Sequence, residues 1–235
     1  MIDYEKALGI FRSPRNKKLI FRFRLETNDW NTLTASTTED EYRLADLPEL
    51  TGVAIDVGGY LGSVAIALAR DNPGLRVICV EPIPENVVMI NYNVEANDLQ
   101  DRIDVLSASA AAAPGIETIN YRYRGSKLEE HHAFVGNIGL ANYDLPHEEV
   151  VAPCVTLEGL LKDIASVVLL KIDCEGCEWG FLSSPAVIKV ERIIGEWHPM
   201  DGHVQTDVID LLDKTHYVTF SGPVEGPGGF VAIRR

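Results

Sequence analysis

A lysine, three carboxylates and two cysteines crowd into Lys171-Ile172-Asp173-Cys174-Glu175-Gly176-Cys177-Glu178, and Glu196 and His198 follow in the segment GEWHP. Carboxylates, and an imidazole with its ordinary pKa near about 6.5, are the groups that take up or hand on a proton near neutral pH. Asp173 ends an otherwise apolar stretch, VVLLKID, where a charge without a task is costly. Complementing a helix dipole accounts for Glu175 and Glu178 but not for Asp173. Asp173 and His198 are the candidate general bases. Glu196, on the same strand face as His198, orients the imidazole or contacts substrate, and Lys171 is expected to hold a carboxylate rather than act directly. A satisfied histidine at a strand end is the plainer account of His198. Asp173, Glu175, Glu196 and His198 also offer donors to a divalent ion, although nothing in their spacing requires one.

A second constellation lies upstream. Asp56-Val57-Gly58-Gly59-Tyr60-Leu61-Gly62 joins an apolar run to a helical one, where backbone comes close to a ligand and N–H groups point outward. The third glycine position of a dinucleotide fingerprint is held by Tyr60, so the spacing suits a ligand with an amino-acid moiety and no pyrophosphate. A glycine turn that only packs a helix on its strand is the bland alternative. Glu81, ending LRVICVE and followed by Pro82, can accept both hydroxyl hydrogens of a ribose. In register with the glycine loop it indicates an adenosine-containing ligand at the carboxyl edge of a sheet.

These groups need strands and helices to hold them. VAIDV (53–57), LRVICVEP (75–82), RIDVLSAS (102–109), VVLLKID (167–173) and VERIIGEWH (190–198) read as buried strands. SVAIALAR, PENVVMINYNVEAND, LEGLLKDI and QTDVIDLLDK read as helices between them, the signature of a parallel sheet covered on both faces. HYVTF and GFVAI, separated by SGPVEGPG, form an antiparallel hairpin that closes the sheet. Residues 1–48 make an N-terminal extension: a strand at 19–25, a hairpin partner at 28–36 and a short helix near 38–47. ETINYRYR (117–124) is a further strand, and 125–149 is a loop carrying the exposed pair His131-His132.

With 235 residues, 46% of them hydrophobic, the chain can bury one sizeable core, so 49–235 is read as a single domain. The formal net charge of −14 speaks against nucleic acid as a partner. The basic cluster Arg12, Arg15, Lys17, Lys18, Arg22 and Arg24 is read as a solvated edge strand. No apolar run approaches the roughly 18 residues that span a bilayer, and MIDYEKALGIFR lacks the pattern of a secretory signal. No membrane partner is therefore expected, and the cytoplasm is the expected compartment. Cys79, Cys154, Cys174 and Cys177 are read as buried thiols rather than a disulfide framework. The C-x-x-C of Cys174 and Cys177 could be redox-active or metal-binding, but no second pair completes a metal site.

Taken in order, DVGGYLG, CVEP, LKIDCEGCEW and IGEWHP resemble the motifs of the FkbM family of methyltransferases over roughly residues 50–200. The resemblance implies a Rossmann-like class I methyltransferase fold, an α/β architecture with a mostly parallel seven-stranded sheet and an antiparallel C-terminal hairpin. It implies S-adenosyl-L-methionine as cofactor, with Asp56, Gly58 and Gly62 framing the methionine portion, Glu81 on the ribose and Asp173 beside the methyl group. Adenine contacts fall near Ala108 and Ser109. Gly59-Tyr60 replaces the Ala-Asn usual in the family, which places an aromatic ring to stack on the cofactor or cover it. The implied reaction is O-methylation of a small hydroxylated molecule such as a sugar or secondary metabolite. A hydride-transferring nucleotide enzyme and a non-catalytic adenosine-binding module are the competing readings.

Overall fold

The fold was obtained as a computed structural model, which describes residues 6–25, 27–121, 148–200, 202–222 and 226–235. Most of the expected loop 125–149, with His131 and His132, lies outside the described residues. Its last two residues open a strand.

Seven strands form the main sheet: β3 (Gly52–Val57), β4 (Leu75–Glu81), β5 (Ile103–Ser107), β9 (Leu169–Ile172), β10 (Arg192–Trp197), β11 (His216–Ser221) and β12 (Gly228–Arg234). Their spatial order is β11-β12-β10-β9-β3-β4-β5. The β5-β4-β3-β9-β10 run is parallel, and β12 is antiparallel to both its neighbours, so the C-terminal hairpin closes the sheet as its turn-rich insert predicts. Because successive strand residues face opposite ways, Ala54 and Leu169 join one core while Ile55 and Leu170 join the other. The first core packs under α2 (Ser63–Asp71) and α3 (Pro84–Ala96), the second under α5 (Glu178–Leu182) and α6 (Gln205–Leu212). A short helix, α4 (Leu157–Leu160), has its first turn capped by the Thr156 hydroxyl accepting from Gly159 N–H. Strands β6 (Ser109–Ala110), β7 (Gly115–Tyr121) and β8 (Glu148–Val155) make a separate small sheet.

The extension differs from expectation. The strand at 19–25 exists as β2 (Lys18–Arg24), but its partner is the upstream β1 (Lys6–Arg12), and 28–36 instead turns into the short helix α1 (Asp29–Leu33) and a π-helical turn (Thr34–Thr38). Near 38–47 only a 3-10 turn forms, at Leu44–Asp46. The reason is hydrophobic: Phe11, Leu19, Phe21 and Phe23 are buried together against the α2–α3 side of the sheet, which requires β1 and β2 to pair. The outer edge of β2 is not open. Asn93 of α3 accepts from the Arg22 N–H, and Asn97, which caps the helix C-terminus, accepts from the Ile20 N–H and donates back to Ile20 O. The basic cluster is likewise not all solvated. Arg24 is buried in a bidentate pair with Asp29 at 2.8 and 2.9 Å, and Arg15 donates to the carbonyls of Leu47 and Pro48.

Candidate active site

The strand order reverses between β3 and β9, and a cavity of about 450 Å³ opens at the carboxyl ends of the strands there, where α/β sheets place their ligands. Of the residues singled out in the sequence, Gly58, Gly59, Tyr60, Glu81, Ala108, Ser109, Lys171, Asp173, Cys174, Glu175, Cys177 and Glu196 line it. Asp56, Gly62 and His198 do not. Asp56 is fully buried beneath the loop, with Lys171 Nζ 3.3 Å from Oδ1 and the Ala65 N–H on Oδ2, contacts that anchor the loop from below. Burial pushes the Asp56 carboxyl up while Lys171 opposes that rise, and Asp56 and Asp173 outweigh the cost of burial to raise Lys171. The ammonium of Lys171 also donates to the carbonyls of Val57 and Gly58.

The glycine loop is tighter than its sequence suggests. Gly58 (φ 78°) lies so close to the next strand that a Cβ would stand 1.7 Å from the Asp173 carbonyl oxygen, which only glycine avoids. The Gly58 and Gly59 N–H groups do not point outward but donate to Val80 O. Tyr60, itself at φ 51°, donates its N–H to Glu81 at 2.9 Å. Its ring does not lie loose for stacking: the hydroxyl donates to Asp29 at 2.7 Å and ties the loop to the extension.

Glu81 is buried and accepts from Tyr60 N–H, Ile83 N–H and the Asn86 amide. Burial pushes its carboxyl up, and these donors oppose the rise. A carboxylate has about four acceptor positions, so three protein donors fix its orientation and leave capacity for a ligand hydroxyl. Ser109 hydrogen-bonds Glu117 across the far wall.

On the other side stand Asp173, Glu175, Glu178, Glu196 and His198. Asp173 Oδ2 accepts from the Tyr42 hydroxyl at 2.6 Å, while its Oδ1 lies 4.0 Å from His198 Nε2. Glu175 Oε2 is 3.5 Å from the same nitrogen. Glu178, nearly inaccessible, accepts from the His198 N–H at 2.7 Å and holds the ring Nδ1 at 2.9 Å. Burial works against a charged His198, yet Glu178, Glu175 and Asp173 raise it to about 9. Burial and the surrounding carboxylates, partly relieved by His198, lift Glu175 to about 7; burial and Asp173 likewise lift Glu41, at the cavity wall, to about 7. Atoms of Asp173, Glu196 and His198 approach within 4.8 Å of one another, close enough to surround a small cation.

Sequence reasoning missed Tyr42, Asp29, Asn86 and the part played by Glu178. Tyr42 and Asp29 come from the extension and reach the site only through tertiary packing, and Glu178 looks like any acid in a first helical turn. Cys174 and Cys177, read as free thiols, are joined in a disulfide, their Cα atoms 5.5 Å apart and therefore within bridging range. Cys79 and Cys154 remain free.

Residues 56–220 match the methyltransferase FkbM domain. The chain belongs to the FkbM methyltransferase family. A 64-residue segment is 38% identical to the O-methyltransferase imqG of Aspergillus flavus, spanning 26% of each protein. In fold the chain resembles precorrin-6y C5,15-methyltransferase from Geobacter metallireducens, at 14% identity and a TM-score of 0.51 over 91% of this chain and 93% of that one. M. capricolum TrmK, solved with S-adenosyl-homocysteine, aligns over 83% of this chain and 66% of its own at 12% identity and a TM-score of 0.48. The class I methyltransferase fold expected from the motifs is therefore the fold found, and FkbM membership carries S-adenosyl-L-methionine as the cofactor. No helix among the described residues is long and apolar enough to cross a membrane.

Proposed function

We propose that the protein transfers the methyl group of S-adenosyl-L-methionine to a hydroxyl of a small molecule such as a sugar or secondary metabolite. The observation that carries this reading is the position of Asp173. Its backbone abuts Gly58 in the glycine loop, and its carboxylate faces the cavity between Tyr42 and His198. The cavity's volume, the oriented Glu81 and a loop whose amides are spent internally suit an adenosine ligand without pyrophosphate. The name of the fungal relative supports oxygen as the acceptor atom.

When bound, the cofactor supplies an electrophilic methyl group on a sulfonium. Glu81 would hold the ribose, Ala108 and Ser109 would border the base, and Gly58 with Gly59 would let backbone lie against the methionine part. Asp173 would take the acceptor's proton as the oxygen–carbon bond forms and the carbon–sulfur bond breaks. His198 already carries a proton at neutral pH, so in this reading it and Glu196 orient the acceptor and do not serve as base. Holding acceptor and methyl in line supplies much of the remaining rate.

The test pairs binding with turnover. Calorimetry should find S-adenosylmethionine bound and NAD not bound. Methyl-labelled cofactor offered with a panel of hydroxylated metabolites should label one class. Asp173→Asn should cut transfer by about 100-fold or more while cofactor still binds. Equal labelling by the variant, or preference for NAD, would overturn the reading.

A further inference from the structure

The motif that methyl transfer does not absorb is the cysteine pair. Cys174 and Cys177 flank Glu175 and Gly176 in the turn that leads from β9 into α5, and both sulfur-bearing residues line the cavity and are only half-buried. The turn they bridge carries the site's proton-handling groups. Asp173 immediately precedes one cysteine, and Glu178, which grips His198, immediately follows the other. Between them Glu175 (φ 58°) and Gly176 (φ 109°) take left-handed conformations, an uncommon backbone for a glutamate that surrounding structure must hold in place. That conformation presents Glu175 to His198 Nε2. The Gly176 N–H donates to Glu178 Oε2 at 3.0 Å, and Cys174 Sγ lies 3.5 Å from the same oxygen. In the disulfide that sulfur has no proton to give. As a thiol it has one, and it becomes a second claimant on the carboxylate that fixes His198.

We propose that Cys174–Cys177 is a thiol-exchangeable disulfide whose opening loosens the carboxylate turn and weakens the cofactor site. The exchanging partner is a low-molecular-weight thiol. One thiolate attacks a protein sulfur to give a mixed disulfide and release a protein thiolate. A second thiol then attacks the mixed disulfide. The protein ends with two thiols, and two small thiols end as one disulfide, so two electrons and two protons pass to the protein. The half-burial of the pair gives the thiol its access. Cys79, fully buried, has none.

The covalent step is independent of the methyl-transfer reading, whereas its effect on cofactor affinity rests on it. The full chain is equilibrated in mixtures of reduced and oxidised glutathione, quenched by alkylation, and the peptide containing residues 174–177 is weighed. Half-conversion within such mixtures, reversible from both sides, is expected. Calorimetry with S-adenosylhomocysteine on the two end states should show affinity about threefold to tenfold lower for the dithiol. The Cys174→Ser, Cys177→Ser double variant should match the dithiol and ignore glutathione, and Cys154→Ser should respond like the parent. A bond that reduced glutathione never opens, or equal affinity in both states, overturns the proposal. The first outcome needs no variant to fold. Exchange accompanied by no cofactor binding in either state overturns the coupling together with the methyl-transfer reading, whereas a bond that never opens in a protein that still binds cofactor overturns this proposal alone.

Discussion

The two walls of the cavity handle charge in opposite ways. On the β3–β4 side each carboxylate is matched: Asp56 has Lys171 and the Ala65 N–H, and Glu81 has three donors. On the β9–β10 side four carboxylates, Asp173, Glu175, Glu178 and Glu196, crowd around the single imidazole of His198. Burial and the neighbouring carboxylates raise Glu196 as well as Glu175. The difference teaches which wall is finished by folding and which is held ready for chemistry. A carboxylate with its donors in place is a fixed template for a ligand, whereas Glu175 and Glu196, raised by burial and by their like-charged neighbours, retain a proton affinity that a reaction can use.

The sharpest way to break that contrast is to unmatch the matched wall. Lys171→Met leaves Asp56 buried beside an apolar chain, and an orphaned buried charge costs about 3–5 kcal/mol. Urea unfolding at pH 7 should show a loss of that size, with a second substitution, Asp56→Asn, recovering part of it. A loss below about 1 kcal/mol would mean that the pair is not the foundation of the loop.

A smaller effect should appear on the unmatched wall when pH is varied. Folded His198, at about 9, holds its proton more tightly than the unfolded chain does at about 6.5. Its stabilisation is therefore complete below about pH 6.5 and lost as pH rises through about 9, a change of up to roughly 3 kcal/mol. Glu175 and Glu41, raised to about 7, act in the same direction, their stabilisation present below about 4.5 and lost as pH passes 7. Denaturant midpoints at pH 6, 7.5 and 9 should fall in that order. Glu178→Gln should flatten the step between 7.5 and 9, because Glu178 leads the contacts that raise His198.

What could be read from the sequence follows the same division. The matched wall is local: DVGGYLG and CVEP each sit at one strand end, so a strand, its acid and its glycines announce themselves together. The parallel strands were legible because burial on both faces makes them continuous apolar runs. Tyr42 and Asp29 left no such trace, since they reach Asp173 and Tyr60 only after the extension folds over the cavity. The β1–β2 pairing was hidden because Phe11 of β1 and the aromatic side of β2 gain their meaning from a core supplied by α2 and α3. The disulfide was hidden because three-residue spacing is equally compatible with two thiols, a metal or a bridge until the turn's backbone is known.

The finest test of the contrast is Glu175→Gln, where the predicted change is smallest and emerges only as pH rises through about 7. Above about pH 7 the folded protein holds Glu175 charged at a cost set first by burial and then by Asp173, Glu196 and Glu178, and His198 returns only part of that cost. The amide keeps the side chain's shape and the left-handed backbone at position 175 while removing the charge. At pH 8 it should therefore leave the protein equally stable or more stable, by less than about 1 kcal/mol, since a side chain 38% exposed is partly screened by water. At pH 6 the carboxyl is largely protonated and the gain should vanish. Chemical denaturation of parent and variant at both pH values reads the difference directly. A clear destabilisation at pH 8 would mean that the attraction to His198 outweighs the crowding, and that this wall is as well matched as its neighbour.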